Sequence, residues 1–219
     1  IMSIKTLKIA ALFIIASTSA FAQDFSFQMA ITTPKMPDGM NMKVTSSVNK
    51  VAIQPLNGPM SAMRIIIDGD AKKQYVLMEN KGQKTAMVMD PFDANTASKP
   101  AAKPTVKHTK ETKTIGGLKC TKTIVESNGN TTEMWLAKES GVNYQQFFKI
   151  FNSTKGTPGA SAVLPDAADI KGFPMEITTK EKSGDVTTMR MSNISKAKVD
   201  ASVFNRTGYK EVDMTKKSR

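Results

Sequence analysis

The sequence of 219 residues has one cysteine, one histidine and one tryptophan. A single cysteine excludes an internal disulfide framework, and one cysteine with one histidine cannot build a Cys/His zinc cluster. The same scarcity leaves little for nucleophilic catalysis. Arginine is scarce too: Arg64, Arg190, Arg206 and Arg219 are the only ones among 31 basic residues, and the formal net charge is +12. Lysine is a solvated point charge, whereas arginine is the bidentate reader of phosphates. A lysine excess without aromatic-interleaved basic strands excludes a nucleic-acid partner and points to an anionic membrane surface instead. No internal apolar run approaches the ~20 residues of a membrane helix. No Gly-x-Ser-x-Gly, His-Glu-x-x-His or phosphate-binding glycine loop occurs. The carboxylates Glu111, Glu126, Glu133, Glu176 and Glu181 are scattered, and nothing selects a pair for glycoside hydrolysis. The expectation is a protein that is not an enzyme and uses no cofactor and no metal.

What is present begins with an address. Residues 2–22 carry a basic start at Lys5 and Lys8, an apolar stretch over 9–16, and a small-x-small site at Ala20-Phe21-Ala22. That is the pattern of a cleaved secretory signal, and no cysteine follows it as a lipidation site. The expected location is the periplasm or the exterior. Hydrophobic residues make up 40% and charged residues 23%, a globular balance. Residues 23–210 read as one β-rich domain, with a flexible Ala/Pro/Lys/Ser loop at about 91–105 and a charged, frayed tail over 211–219. A monomer is expected. Cys120 in an oxidising compartment reads as a buried small hydrophobe, with a reactive thiol as the alternative.

Most of the domain alternates with period two. Phe25, Phe27, Met29 and Ile31 alternate with polar neighbours, and so do Met63, Ile65 and Ile67, as half-buried strands do. Met40, Met42 and Val44, followed by Val48, Val51 and Ile53, read as one long strand with a break in phase. Asn128-Gly129, between two alternating runs, is the strongest hairpin signal in the chain. The period changes at Asn143: Tyr144, Phe147, Phe148 and Phe151 fall on one face of a helix. A short helical turn is expected over residues 200–204. The sum is about ten mostly antiparallel strands and one aromatic helix. A sheet that wide curls, and the helix is the natural filling of its concave face.

Methionine is the compositional outlier, with 15 residues. Met40/Met42, Met87/Met89 and Met189/Met191 alternate on strands. Methionine fills irregular cores and suits pliable apolar binding walls, and both readings stand. A third is soft Cu(I) ligation, for which Met36, Met40 and Met42 have suitable thioethers. His108, beside Lys107 and Lys110, has no partner at ligand spacing and reads as exposed. Trp135 reads as a core or edge aromatic or as a ligand contact.

Several segments resemble one family. They are Met63-Arg-Ile-Ile-Ile-Asp68, Gln74-Tyr-Val-Leu-Met78, Thr85-Ala-Met-Val-Met-Asp90, Lys113-Thr-Ile-Gly-Gly-Leu-Lys-Cys120 and Thr132-Glu-Met-Trp-Leu-Ala-Lys138, with Gly172-Phe-Pro174 and Phe204…Gly208-Tyr209-Lys210. Together they resemble the secreted bacterial "domain of unknown function 4412", itself similar to the LolA/LolB-like lipoprotein carriers. The resemblance implies an open antiparallel half-barrel capped by helices, with a cavity for acyl chains. The chain departs from the carriers in its Lys/Ala/Pro loop and its methionine-heavy walls.

Residues and resemblance together predict a binding protein for a hydrophobic ligand, a lipid or a lipidated protein's acyl chain. Phe147, Phe148 and Phe151 form the lid. Met40, Met42, Ile65, Ile67, Met87, Met89, Trp135, Met189 and Met191 line the wall, and the lysines over 99–110 meet anionic head groups. The alternative is an envelope structural or sensory interaction module with a dry core.

Overall fold

The computed structural model describes residues 24–89, 104–142 and 170–215. Their alternating apolar residues form twelve strands in one sheet. In chain order these are β1 (Phe25–Thr33), β2 (Met36–Ser47), β3 (Lys50–Pro55), β4 (Met63–Asp68), β5 (Lys73–Asn80) and β6 (Gln83–Met89). They continue as β7 (Thr105–Ile115), β8 (Leu118–Ser127), β9 (Asn130–Ala137), β10 (Phe173–Lys180), β11 (Val186–Ser195) and β12 (Lys210–Asp213). The spatial order is β12-β6-β5-β4-β3-β2-β1-β11-β10-β9-β8-β7, so the sheet is open, with β12 and β7 at its edges. Every pairing is antiparallel except β12 with β6.

The turn chemistry explains most of the connections. Ser127 pairs with Asn130 across Asn128 (φ 54°) and Gly129 (φ 79°). Positive φ at both central residues matches the right-handed twist of the flanking strands. The expected long strand through Val48 is instead a hairpin. Ser47 pairs with Lys50, and Val48 turns the corner at φ 33°, a conformation that β-branched residues rarely adopt. The charged tail is not frayed from residue 211: Lys210–Asp213 pairs in parallel with Thr85–Val88. These two differences turn about ten strands into twelve.

One face of the sheet carries the main core. Its register runs Met134–Ile177–Met189–Ile31–Met40 across β9, β10, β11, β1 and β2. A second row, Phe27–Val44–Ile53–Ile65–Val76–Met87, crosses β1 to β6. Phe27 and Phe173 meet edge to face with ring centroids 5.2 Å apart, although β1 and β10 are two places apart in the order. Strands so placed lie ~9.5 Å apart, so side chains on this face lean together, as on the inside of a curved sheet. The opposite face is buried only in part. There Ala52, Ile66, Tyr75, Leu77, Ala86 and Val88 receive Val203, Phe204 and Tyr209 from the segment before β12. That segment makes the expected turn as a 3-10 helix, Ala201–Phe204, whose second residue donates its amide, Ser202 N, to the side chain of the N-cap Asp200. Arg64 Nη1 donates to Val203 O at 3.0 Å, and the Arg206 guanidinium lies 3.6 Å from the Tyr75 ring centroid.

No α-helix occurs among the described residues. The aromatic helix expected over 144–151, with Phe147, Phe148 and Phe151, lies outside them, and so do the signal sequence and residues 91–103 of the expected loop.

Candidate functional site

Strand alternation sorts the side chains into two chemistries. Eleven of the fifteen methionines belong to the main core cluster or pack against it, and none joins the cluster on the opposite face. Eight of the expected wall residues share this face: Met40, Met42, Ile65, Ile67, Met87, Met89, Met189 and Met191. They are not equally open. Met189 is 1% exposed and Met191 2%, so the middle of the face is packed. Met63, Met87 and Met89 are only partly buried, and Met78, in register with Met63, is 36% exposed. At this end a cavity of about 350 Å³ is lined by Met78, Met87, Met214 and Val212 with polar neighbours Asn80, Gln83 and Thr85.

Trp135, the remaining expected wall residue described, is half-buried and also packs against this cluster, from a different direction. It alternates with buried Met134 and Leu136, so its ring projects to the other side of the sheet from Met134. Lys113 Nζ sits 4.3 Å and Lys122 Nζ 5.9 Å from the ring centroid, distances at which cations are drawn to the aromatic face. Around it runs a chain of ion pairs: Glu176 with Lys113 at 2.8 Å and with Arg190 at 3.0 Å, and Lys122 with Glu133 at 3.1 Å. Burial acts to raise the Glu176 pKa, but Lys113 and Arg190 outweigh it and hold the carboxyl below its ordinary value. Glu133 and Glu111 raise that of Lys122. Cys120 is buried, its thiol donates to Leu118 O at 3.4 Å, and burial pushes its pKa up. That environment disfavours the reactive thiolate.

At the β7 end the methionine face turns polar. On β7, Thr109, Lys110 and Glu111 stand opposite Lys122 alone, between the pairs His108–Thr123 and Thr112–Thr121. Such a bulge re-aims side chains. His108 Nδ1 lies 3.2 Å from Thr123 Oγ1, and Thr109 Oγ1 donates to Lys122 O at 3.0 Å. A cavity of about 590 Å³ opens here, lined by Val106, His108, Thr109, Thr121, Thr123, Leu136, Lys138 and Lys171. Sequence reasoning assigned head groups to the lysines over 99–110 and missed Lys138 and Lys171. The available signal was Thr121 and Thr123 in the inward phase of β8, where apolar residues belong. Among the described residues no three His, Cys, Asp or Glu side chains group as a metal site.

The model of the family "Domain of unknown function (DUF4412)" matches residues 23–207. The chain belongs to this family. No curated protein matches it in sequence. Among solved structures it is similar to PNGF-II (15% identity, 89% of this chain and 31% of the other, TM-score 0.44). It is also similar to MucB in complex with MucA(peri) (8% identity, 83% and 53%, TM-score 0.48). A third is the LolA superfamily protein NE2245 from Nitrosomonas europaea (11% identity, 84% and 91%, TM-score 0.38). The chain thus spans about a third of the matched PNGF-II chain and about half of the MucB chain.

Proposed function

We propose that this DUF4412 protein is an extracytoplasmic, non-catalytic binding protein that holds a lipid or lipoprotein acyl chain against the methionine face of its sheet. The observation that carries the reading is the segregation of methionine to one face, packed in the middle and opening at β4–β6. Flexible thioether side chains shape themselves to a ligand of variable outline. Each buried methylene contributes ~0.8 kcal/mol, so an acyl chain needs few polar contacts. The secretory pattern over residues 2–22 supports the location.

The test is to purify the protein from a bacterial envelope, extract it with organic solvent and weigh the extract by mass spectrometry. Stoichiometric lipid, lost in a folded Met87→Asp variant, is the expected result. A lipid-free protein that also ignores a fluorescent fatty acid sinks the reading. The dense packing around Met189 and Met191 favours a second reading, an envelope interaction module with a dry core, which that outcome would select.

A further inference from the structure

The cavity at the β7 edge differs in kind from the methionine wall it adjoins. Its described lining offers one imidazole, two ammonium groups and three threonine hydroxyls, and no carboxylate. Of the carboxylates on β7, β9 and β10, Glu111 and Glu133 pair with Lys122, and Glu176 pairs with Lys113 and Arg190; Glu139, next to Lys138 in sequence, is exposed and does not line the cavity. Lys138 and Lys171 are exposed and make no ion pair with any described residue. Two cations gathered at a polar cavity with no carboxylate in its described lining are matched by an oxyanion, which accepts charge-assisted hydrogen bonds from the ammonium groups. The floor is apolar and continuous with the main core, since Leu136 belongs to that cluster and Val106 packs against it. Thr123 stands in register with Met134, which begins the row leading to Met189 and Met40. An anionic group in this cavity therefore has hydrocarbon directly behind it.

We propose that the cavity bounded by His108, Lys138 and Lys171 is an oxyanion site that receives the carboxylate or phosphate head of an amphiphile whose tail lies on the methionine face. The tail's placement rests on the carrier reading above; the oxyanion site does not. The bulge at Thr109 opens the cavity rim, and the 3-10 turn after β9 and the start of β10 bring Lys138 and Lys171 to it.

The test titrates the purified protein with palmitate, with uncharged hexadecanol and with inorganic phosphate. It repeats the titrations on the double variant Lys138→Gln/Lys171→Gln. Both lysines are exposed, so the variant is expected to melt with the parent. Palmitate should bind about tenfold tighter than hexadecanol, the size of trading a charged contact for a neutral one. The double variant should bind the two alike, with its hexadecanol affinity unchanged. Equal binding of both amphiphiles by the parent, or a preference that survives in the variant, overturns the oxyanion site and leaves the carrier reading standing. Phosphate binding that the variant loses, with neither amphiphile bound, supports the site, identifies a free anion as its source and overturns the carrier reading. Binding of none of the three overturns both.

Discussion

Met189→Ala is the substitution that separates a packed middle from an open one. Met189 is 1% exposed, paired directly with Ile177 on one side and Ile31 on the other. Met134 and Met40 lie beyond them in the same row. Truncation removes the transfer energy of the lost atoms and leaves a cavity that rigid sheet neighbours cannot fill. Together these amount to about 3 kcal/mol. In a domain of this length that is a fall of about 6–12 °C in Tm. Met189→Leu, which keeps the volume, should cost under about 1.5 kcal/mol. Met87→Ala, at the partly open end, should cost about 1 kcal/mol or less, since much of its surface already meets water. The assay is urea denaturation of the three variants beside the parent, read by circular dichroism. A Met189→Ala loss below about 1 kcal/mol, in a protein with parental secondary structure, would refute the packed middle and place the ligand-accessible surface across the whole face.

Two further outcomes follow from local geometry. Glu176 has a carboxyl pKa below its ordinary 4.5, so its stabilisation is complete above that value and disappears as pH falls through the lowered one. Glu176→Gln should therefore lose about 1 kcal/mol at pH 7 and progressively less as the pH falls below 4.5; a loss that does not change with pH would show that the ion pairs with Lys113 and Arg190 are not its cause. Val48, 55% exposed at φ 33°, carries strain that glycine lacks. Val48→Gly should gain about 1 kcal/mol, and a loss in chemical denaturation would mean that the side chain's contacts outweigh the strain.

The strands were legible because their signals are local. Phe25 to Ile31 and Met63 to Ile67 alternate, and Asn128-Gly129 has the backbone freedom that its turn demands. The turn at Val48 was not legible, since valine is disfavoured at positive φ and only the pairing of Ser47 with Lys50 reveals the corner. Nor was β12, whose four residues are all exposed and which joins β6 through backbone alone. Methionine alternation predicted which side chains share a face. It could not predict that Met189 is packed while Met78 is open, because burial also changes along a strand: Val76, two residues before Met78 on β5, is buried. Trp135 falls between Met134 and Leu136, so the alternation already turns its ring away from theirs, and only the register adds Lys122 and Glu176 as its neighbours.

Charge shows the same limit from another direction. As a sum, +12 describes a basic protein and nothing more specific. The sheet divides part of that sum by position. Around Trp135, Lys113, Lys122 and Arg190 are neutralised by Glu176, Glu133 and Glu111. At the β7 edge of the other face, Lys138 and Lys171 have no such partners among the described residues, and the cavity gathers them with His108 although the three lie far apart in sequence. Cations gathered at this cavity without a carboxylate in its described lining attract anions to the β7 edge, an attraction that screening weakens. An anionic amphiphile approaching that edge meets charge first and hydrocarbon second. That is the sequence of contacts needed to draw a lipid out of a surface, and it makes the rate of palmitate capture, more than its final affinity, the quantity that should fall with added salt.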